Sequence, residues 1–175
     1  MKKLVLLSIA ASLAAGCASM QNMMHTERAR AVATLQPTTG NTARGTVTFT
    51  QDGDEVRVQA NLSGLKPNAE HGFHVHEKGD CSSGDGMSTG GHYNPAGKPH
   101  GPQGAEHHAG DMPSLRSDAY GNASASFELK GVSVGGGQAD LVGRGVIVHR
   151  DPDDYRTQPT GNAGPRVACG VIAKS

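Results

Sequence analysis

Apolar and polar residues alternate in short stretches along most of the chain, and glycine-bearing turns separate them. Ala31-Val32-Ala33-Thr34-Leu35 is the first strand candidate. Gly45 to Thr50 and Val56 to Leu62 follow, with Asp52-Gly53 between them as a hairpin signal. Further strands are predicted over His71 to His76, Ser124 to Leu129, Gly145 to His149 and Arg166 to Ala173. No long segment repeats with the helical period, so the pattern points to an all-β domain. Two intervals break the rhythm. Residues 77–113 are rich in Gly, Pro, His and Asp, and residues 150–165 carry few apolar side chains. Loops of that length in a compact domain are either functional or disordered. Coordination to a metal would supply the order that an apolar core does not.

The first residues follow a different pattern. Met1-Lys2-Lys3 is a short basic start, and the apolar run Leu4 to Ala15 is too short to span a bilayer as a helix. That layout predicts a secretory signal over residues 1–16. It ends in Leu13-Ala14-Ala15-Gly16-Cys17, which resembles a bacterial lipobox and implies cleavage before Cys17 and acylation of that residue. Cleavage at a neighbouring small residue, leaving a protein without an anchor, is the alternative. Residues 17–29 then read as a flexible tether and residues 30–175 as one domain. The 25 glycines, 3% aromatic content and absence of Trp suit a β-protein with many turns. Formal net charge is zero; losing residues 1–16 removes Lys2 and Lys3 and no acid, leaving 14 basic against 16 acidic residues and a net charge of −2. No general basic surface for nucleic acid follows from that balance. With Cys17 set aside, Cys81 and Cys169 remain, and in an exported chain they read as one disulfide; two buried thiols are the alternative.

Eight of the nine histidines fall between positions 71 and 149. In His71-Gly72-Phe73-His74-Val75-His76, residues two apart on a strand share a face, so His74 and His76 can reach one ion while Phe73 and Val75 face the core. His71 is off that register and reads as structural. The first long interval carries His92, behind Gly90-Gly91, then His100, His107, His108 and Asp111. Imidazoles with one carboxylate suit a divalent borderline ion such as zinc. His149 ends the apolar run Arg144-Gly145-Val146-Ile147-Val148-His149, which would hold its ring rigidly at a strand terminus.

These residues resemble the copper/zinc superoxide dismutases. The segment from Gly72 to Glu77 followed by Gly79-Asp80-Cys81, the segment from Gly161 to Ile172, and the spacing of His92, His100, His108, Asp111 and His149 all resemble that family, over roughly residues 30–175. The resemblance implies a flattened eight-stranded Greek-key barrel or sandwich with both metals under the two long loops. It implies copper on His74, His76, His92 and His149, and zinc on His92, His100, His108 and Asp111. His92 would bridge the two ions as an imidazolate and exchange a proton during turnover. Asp153 would join His74 to His100 by hydrogen bonds, and Arg166 would stand beside the open copper position; His107 matches no ligand position.

The implied activity is dismutation of superoxide to dioxygen and hydrogen peroxide, protecting the cell envelope. The segment from Ser82 to Gly86 looks like the bacterial, periplasmic branch, whereas the loop from Arg150 to Pro165 lacks the charged cluster of eukaryotic members. The expected location is the periplasmic side of the envelope. Ala18 after Cys17 points to a lipid anchor in the outer membrane. Monomer and homodimer both remain open, and a non-catalytic exported copper-binding or copper-donor protein is the alternative function.

Overall fold

The computed structural model describes residues 28–175. The predicted signal, most of the tether and Cys17 lie outside the described residues. Within them the strands are β1 (Arg30–Pro37), β2 (Arg44–Asp52), β3 (Glu55–Ser63), β4 (Glu70–His71), β5 (Phe73–His76), β6 (Leu115–Arg116), β7 (Ala123–Lys130), β8 (Gly145–His149) and β9 (Arg166–Lys174). One short 3-10 helix spans Met87–Thr89.

The alternation seen in the sequence becomes one-sided burial. Along β3, Val56, Val58, Ala60 and Leu62 are buried, and the residues between them are not. A half-buried antiparallel sheet needs that alternation, because slipping by one residue would turn every apolar side chain outward. Asp52 pairs with Glu55, so Gly53 and Asp54 form a two-residue turn. Gly53 takes φ 61°, which the first position of a type II′ hairpin turn requires and glycine supplies without strain.

Seven strands pair antiparallel in the order β5-β8-β9-β1-β2-β3-β7, and β4 pairs with β6 in a separate two-stranded sheet. The long sheet curls. Phe73 on β5 and Phe127 on β7, from its two ends, meet edge-to-face with ring centroids 6.4 Å apart. The β4–β6 pair sits on the chain segments that lead into those same end strands. The result is an all-β curled sheet, as a Greek-key barrel or sandwich requires, filled by Leu35, Val47, Phe49, Val58, Phe73 and Ile172 among others.

The described residues hold nine strand segments, seven in the curled sheet and two in the small one, in keeping with the expected Greek-key barrel or sandwich. The predicted strand from His71 to His76 divides at Gly72, whose N–H turns to the carbonyl of Asp151 instead of a strand partner. The β6 pair of residues, Leu115 and Arg116, was absent from the sequence expectation because two residues carry no period. β5 and β8 are buried on both faces, unlike β3, because the long loops lie over their outer side.

Cys81, in the first long loop, is bonded to Cys169 on β9 across a separation of 88 residues. A crosslink closing a loop of that size removes chain entropy from the unfolded state, about 4–5 kcal/mol in the entropic treatment. We expect Cys169→Ser to lower unfolding free energy by about 2–5 kcal/mol in urea titrations. An unchanged midpoint would show that the loop is held by other contacts.

Candidate metal centre

β5 carries His74 and His76 on its outer face, and antiparallel bridges tie His74 to Asp111 and His76 to His92. The first long loop therefore docks onto β5 as if it were a broken strand. β8 runs beside β5 and delivers His149 at its end, where the β8–β9 register shifts. Such an irregularity re-aims a side chain at the end of a ladder.

Each of these imidazoles has one nitrogen fixed by a protein partner. His76 Nδ1 donates to the Gly90 carbonyl and His149 Nδ1 to the Gly164 carbonyl, both at 2.9 Å. His74 Nε2 lies 2.7 Å from Asp153 Oδ2, and His92 Nδ1 lies 2.8 Å from Asp111 Oδ1. The opposite atoms, His74 Nδ1, His76 Nε2, His92 Nε2 and His149 Nε2, are buried without a hydrogen-bond partner. Burying a polar nitrogen unpaired is costly, and four at one place form a group that could hold a metal ion. The ligand atoms of these four residues lie within 4.8 Å of one another.

A second group of four, His92, His100, His108 and Asp111, meets the same criterion. Asp111 Oδ2 is 3.0 Å from His100 Nδ1, and Asp111 Oδ1 is 3.4 Å from His108 Nδ1. His92 belongs to both groups, with Nε2 in one and Nδ1 beside the His108 Nδ1 at 3.5 Å in the other. All seven side chains are buried. Asp153 connects the groups from outside: its Oδ1 takes His100 Nε2 at 2.9 Å while Oδ2 takes His74 Nε2. A carboxylate so placed fixes ring orientation in both groups.

The charges follow from this packing. Burial pushes the His74 imidazole down to about 4 and the His149 imidazole to about 3, and it also holds His76 well below the usual range. Burial acts the same way on His100, but hydrogen bonds to Asp111 and Asp153 outweigh it and raise that group to about 9. Burial would lift the Asp111 and Asp153 carboxyls, yet the histidines hydrogen-bonded to them hold both below the usual carboxylate range. The four-histidine group is therefore ready to bind without losing a proton from His74 or His149, whereas His100 must first give one up.

Arg166 opens β9 next to the four-histidine group. Its guanidinium donates to the Gly86 carbonyl at 2.6 Å, to Thr89 Oγ1 at 2.7 Å and to the Gly90 carbonyl at 2.7 Å. The Gly90 carbonyl also receives His76 Nδ1, so the guanidinium and the His76 ring share a support. Thr89 is fully buried and touches both Arg166 and His76. Sequence reasoning missed Thr89, because an isolated threonine in a loop gives no signal. Gly161, which opens one of the family-like segments, takes φ 63°, and any Cβ there would collide with Asp153 Oδ1 and His100 Nε2. His107 stands apart from both groups, its Nδ1 donating to the Ala105 carbonyl at 2.7 Å. His71 is buried, and its Nδ1 donates to the His149 carbonyl at 2.9 Å, which steadies the β8 end.

With His100 raised to about 9 by its hydrogen bonds to Asp111 and Asp153, binding a divalent ion to its group at pH 7.5 should release about one proton to solvent. Calorimetry in buffers of different ionisation enthalpy counts that proton. The release should vanish as pH rises through 9; a count near zero at pH 7.5 would contradict the assignment of that charge.

The family described as copper/zinc superoxide dismutase matches residues 43–172. A crystal structure described as the clock protein EA4 is 41% identical, covers 85% of this chain and 96% of its own, and superposes with a TM-score of 0.76. A double mutant of a SOD-like protein from Bacillus subtilis is 34% identical, covers 81% of this chain and 96% of its own, with a TM-score of 0.74.

Proposed function

Because the chain belongs to the copper/zinc superoxide dismutase family, we propose that it dismutes superoxide to dioxygen and hydrogen peroxide outside the cytoplasm. The observation that carries this reading is His92, whose two ring nitrogens serve two different buried donor groups. An ion store needs no shared ligand.

The donor chemistry fits the family's metals. His74, His76, His92 and His149 would hold copper, a set of imidazoles suited to that ion. His92, His100, His108 and Asp111 would hold zinc, for which three imidazoles and one carboxylate are an ordinary tetrahedral set. Copper, when bound, supplies the one-electron oxidation and reduction that superoxide dismutation requires, which zinc cannot. His92 Nε2 is the atom at which this chain can hold and return a proton beside the substrate. Asp153 keeps the rings of His74 and His100 in one orientation. Arg166 supplies a fixed positive charge for an anion, and its three hydrogen bonds prevent the guanidinium from swinging away. The disulfide fastens the loop behind it to the same strand.

One observation favours a second reading. One of the two similar structures is described as a clock protein and the other as a SOD-like protein, so this scaffold also carries a protein named for another role. A copper-binding or copper-donor protein without turnover is that reading here, and turnover separates the two.

Loaded with copper and zinc, the chain should consume superoxide rapidly. His149→Ala should abolish that activity with loss of copper. Arg166→Ala should slow it about tenfold or more, the effect of losing one partly desolvated charge near the anion, with metal content unchanged. Copper binding without turnover would move the function to storage or delivery, and copper loss in Arg166→Ala would refute the role given to that residue.

The location is part of the same proposal. A disulfide is usual in oxidising compartments, and the lipobox-like segment ending at Cys17 supports a bacterial lipoprotein held on the periplasmic side of the outer membrane. Residues 1–16 would be the signal, residues 17–29 the tether and residues 30–175 the catalytic domain. Cys17→Ala should move the protein from the membrane to the soluble envelope fraction; unchanged membrane partition would rule out lipidation.

A further inference from the structure

The segment 150–165 forms no strand, yet it is internally braced. The Asp154 carboxylate accepts the N–H of Arg156 at 2.9 Å, the N–H of Thr157 at 2.8 Å and the Thr157 hydroxyl at 2.6 Å. Asp154 N–H donates to the Gly161 carbonyl, and Gly161 N–H to the Thr157 carbonyl. This turn delivers Gln158 to the backbone of His100. The His100 N–H donates to Gln158 Oε1 at 2.8 Å, and Gln158 Nε2 donates to the His100 carbonyl at 2.9 Å. One primary amide thus satisfies both main-chain groups of a loop residue, as a neighbouring strand would. Its orientation is fixed, since one side must accept and the other donate.

Two more contacts from the same segment reach His100. Asp153 Oδ1 lies 2.9 Å from its Nε2, and the Tyr155 ring lies parallel to its imidazole, with centroids 6.4 Å apart and 4° between planes. Asp153 fixes the turn of the ring about its own bond. It does not fix where the Cα stands, and that position decides whether Nδ1 meets Asp111 and the ion. His108 and Asp111 are differently held, by each other: His108 N–H donates to Asp111 Oδ2 at 2.9 Å and Asp111 N–H to the His108 carbonyl at 3.1 Å. Within its donor group, His100 is the ligand whose backbone is held by a side chain of the second loop.

We propose that Gln158 is a positioning residue for the zinc half of the centre, holding His100 by its backbone so that the Nδ1 is placed for the ion. The inference rests on the reading of His92, His100, His108 and Asp111 as a zinc group. Partners outside the ligand shell typically change metal affinity about 10–100-fold. Gln158 acts on the main chain of one ligand, so the lower end applies.

The test is zinc affinity of the copper-loaded full chain by chelator competition, for wild type, Gln158→Met and Gln158→Glu, together with the melting temperature of each metal-free form. Gln158→Met keeps the length and removes both hydrogen bonds. Gln158→Glu keeps the polarity and sets an oxygen against the His100 carbonyl, and it serves should the methionine variant fail to fold. Both variants should bind zinc about tenfold more weakly, with metal-free melting close to wild type. Cobalt substituted for zinc should show altered visible absorption in both. Wild-type zinc affinity in the variants, or a fall in metal-free melting with zinc affinity intact, would overturn the proposal and leave the zinc group standing. A wild-type chain that takes no zinc would overturn the zinc group itself, and the proposal with it.

Discussion

The imidazole of His92 is the constraint around which the rest of the structure is arranged. A buried ring with both nitrogens aimed at donor groups cannot be satisfied by one protein partner. His92 Nδ1 faces Asp111 and the His108 ring, and its Nε2 faces the open nitrogens of His74, His76 and His149. The isolated chain leaves those atoms under-partnered at the centre of a protein otherwise held by an apolar sheet interior. Bound ions would compensate that cost, and their binding energy would then become part of the folding energy. The long loop needs little apolar content for the same reason.

The sheet supplies rigidity where the loops cannot. β5 pairs with β8 from Phe73 to His76, and the two strands deliver His74, His76 and, at the end of β8 against Arg166 of β9, His149. The loop ligands are then fastened to those strands. The His74–Asp111 and His76–His92 bridges hold the first loop to β5, and the Cys81–Cys169 bond holds it to β9. Arg166 ties itself to the 86–90 turn of that loop, so its guanidinium and the His76 ring share one support at the Gly90 carbonyl. The second loop contributes no ligand, yet through Asp153 and Gln158 it grips residues of both groups.

Much of this was legible in the sequence because period and spacing survive folding. The alternation over residues 56–62 maps onto β3 with its one buried face, and the apolar run ending in His149 maps onto β8 residue for residue. His74 and His76 share a face because they are two apart on β5. The rest depends on tertiary contacts that no local pattern encodes. Leu115 and Arg116 form a strand only because Glu70 and His71 arrive beside them. Gly72 divides a run that reads as continuous, because its backbone is needed by Asp151 and His149. Thr89 and Gln158 act through positions the second loop and the 86–90 turn acquire in three dimensions. In sequence they are ordinary loop residues. The predicted signal and the expected lipidation of Cys17 concern residues outside the described structure.

The most direct test of the shared-ligand centre is anomalous diffraction from crystals of the copper- and zinc-loaded protein, with data at both absorption edges. The expected result is a copper peak at bonding distance from His74 Nδ1, His76 Nε2, His92 Nε2 and His149 Nε2, and a separate zinc peak, about 2.0–2.2 Å from its ligand atoms, among His92 Nδ1, His100 Nδ1, His108 Nδ1 and Asp111. A single ion that used only one nitrogen of His92, or both metals mixed within one group, would contradict it.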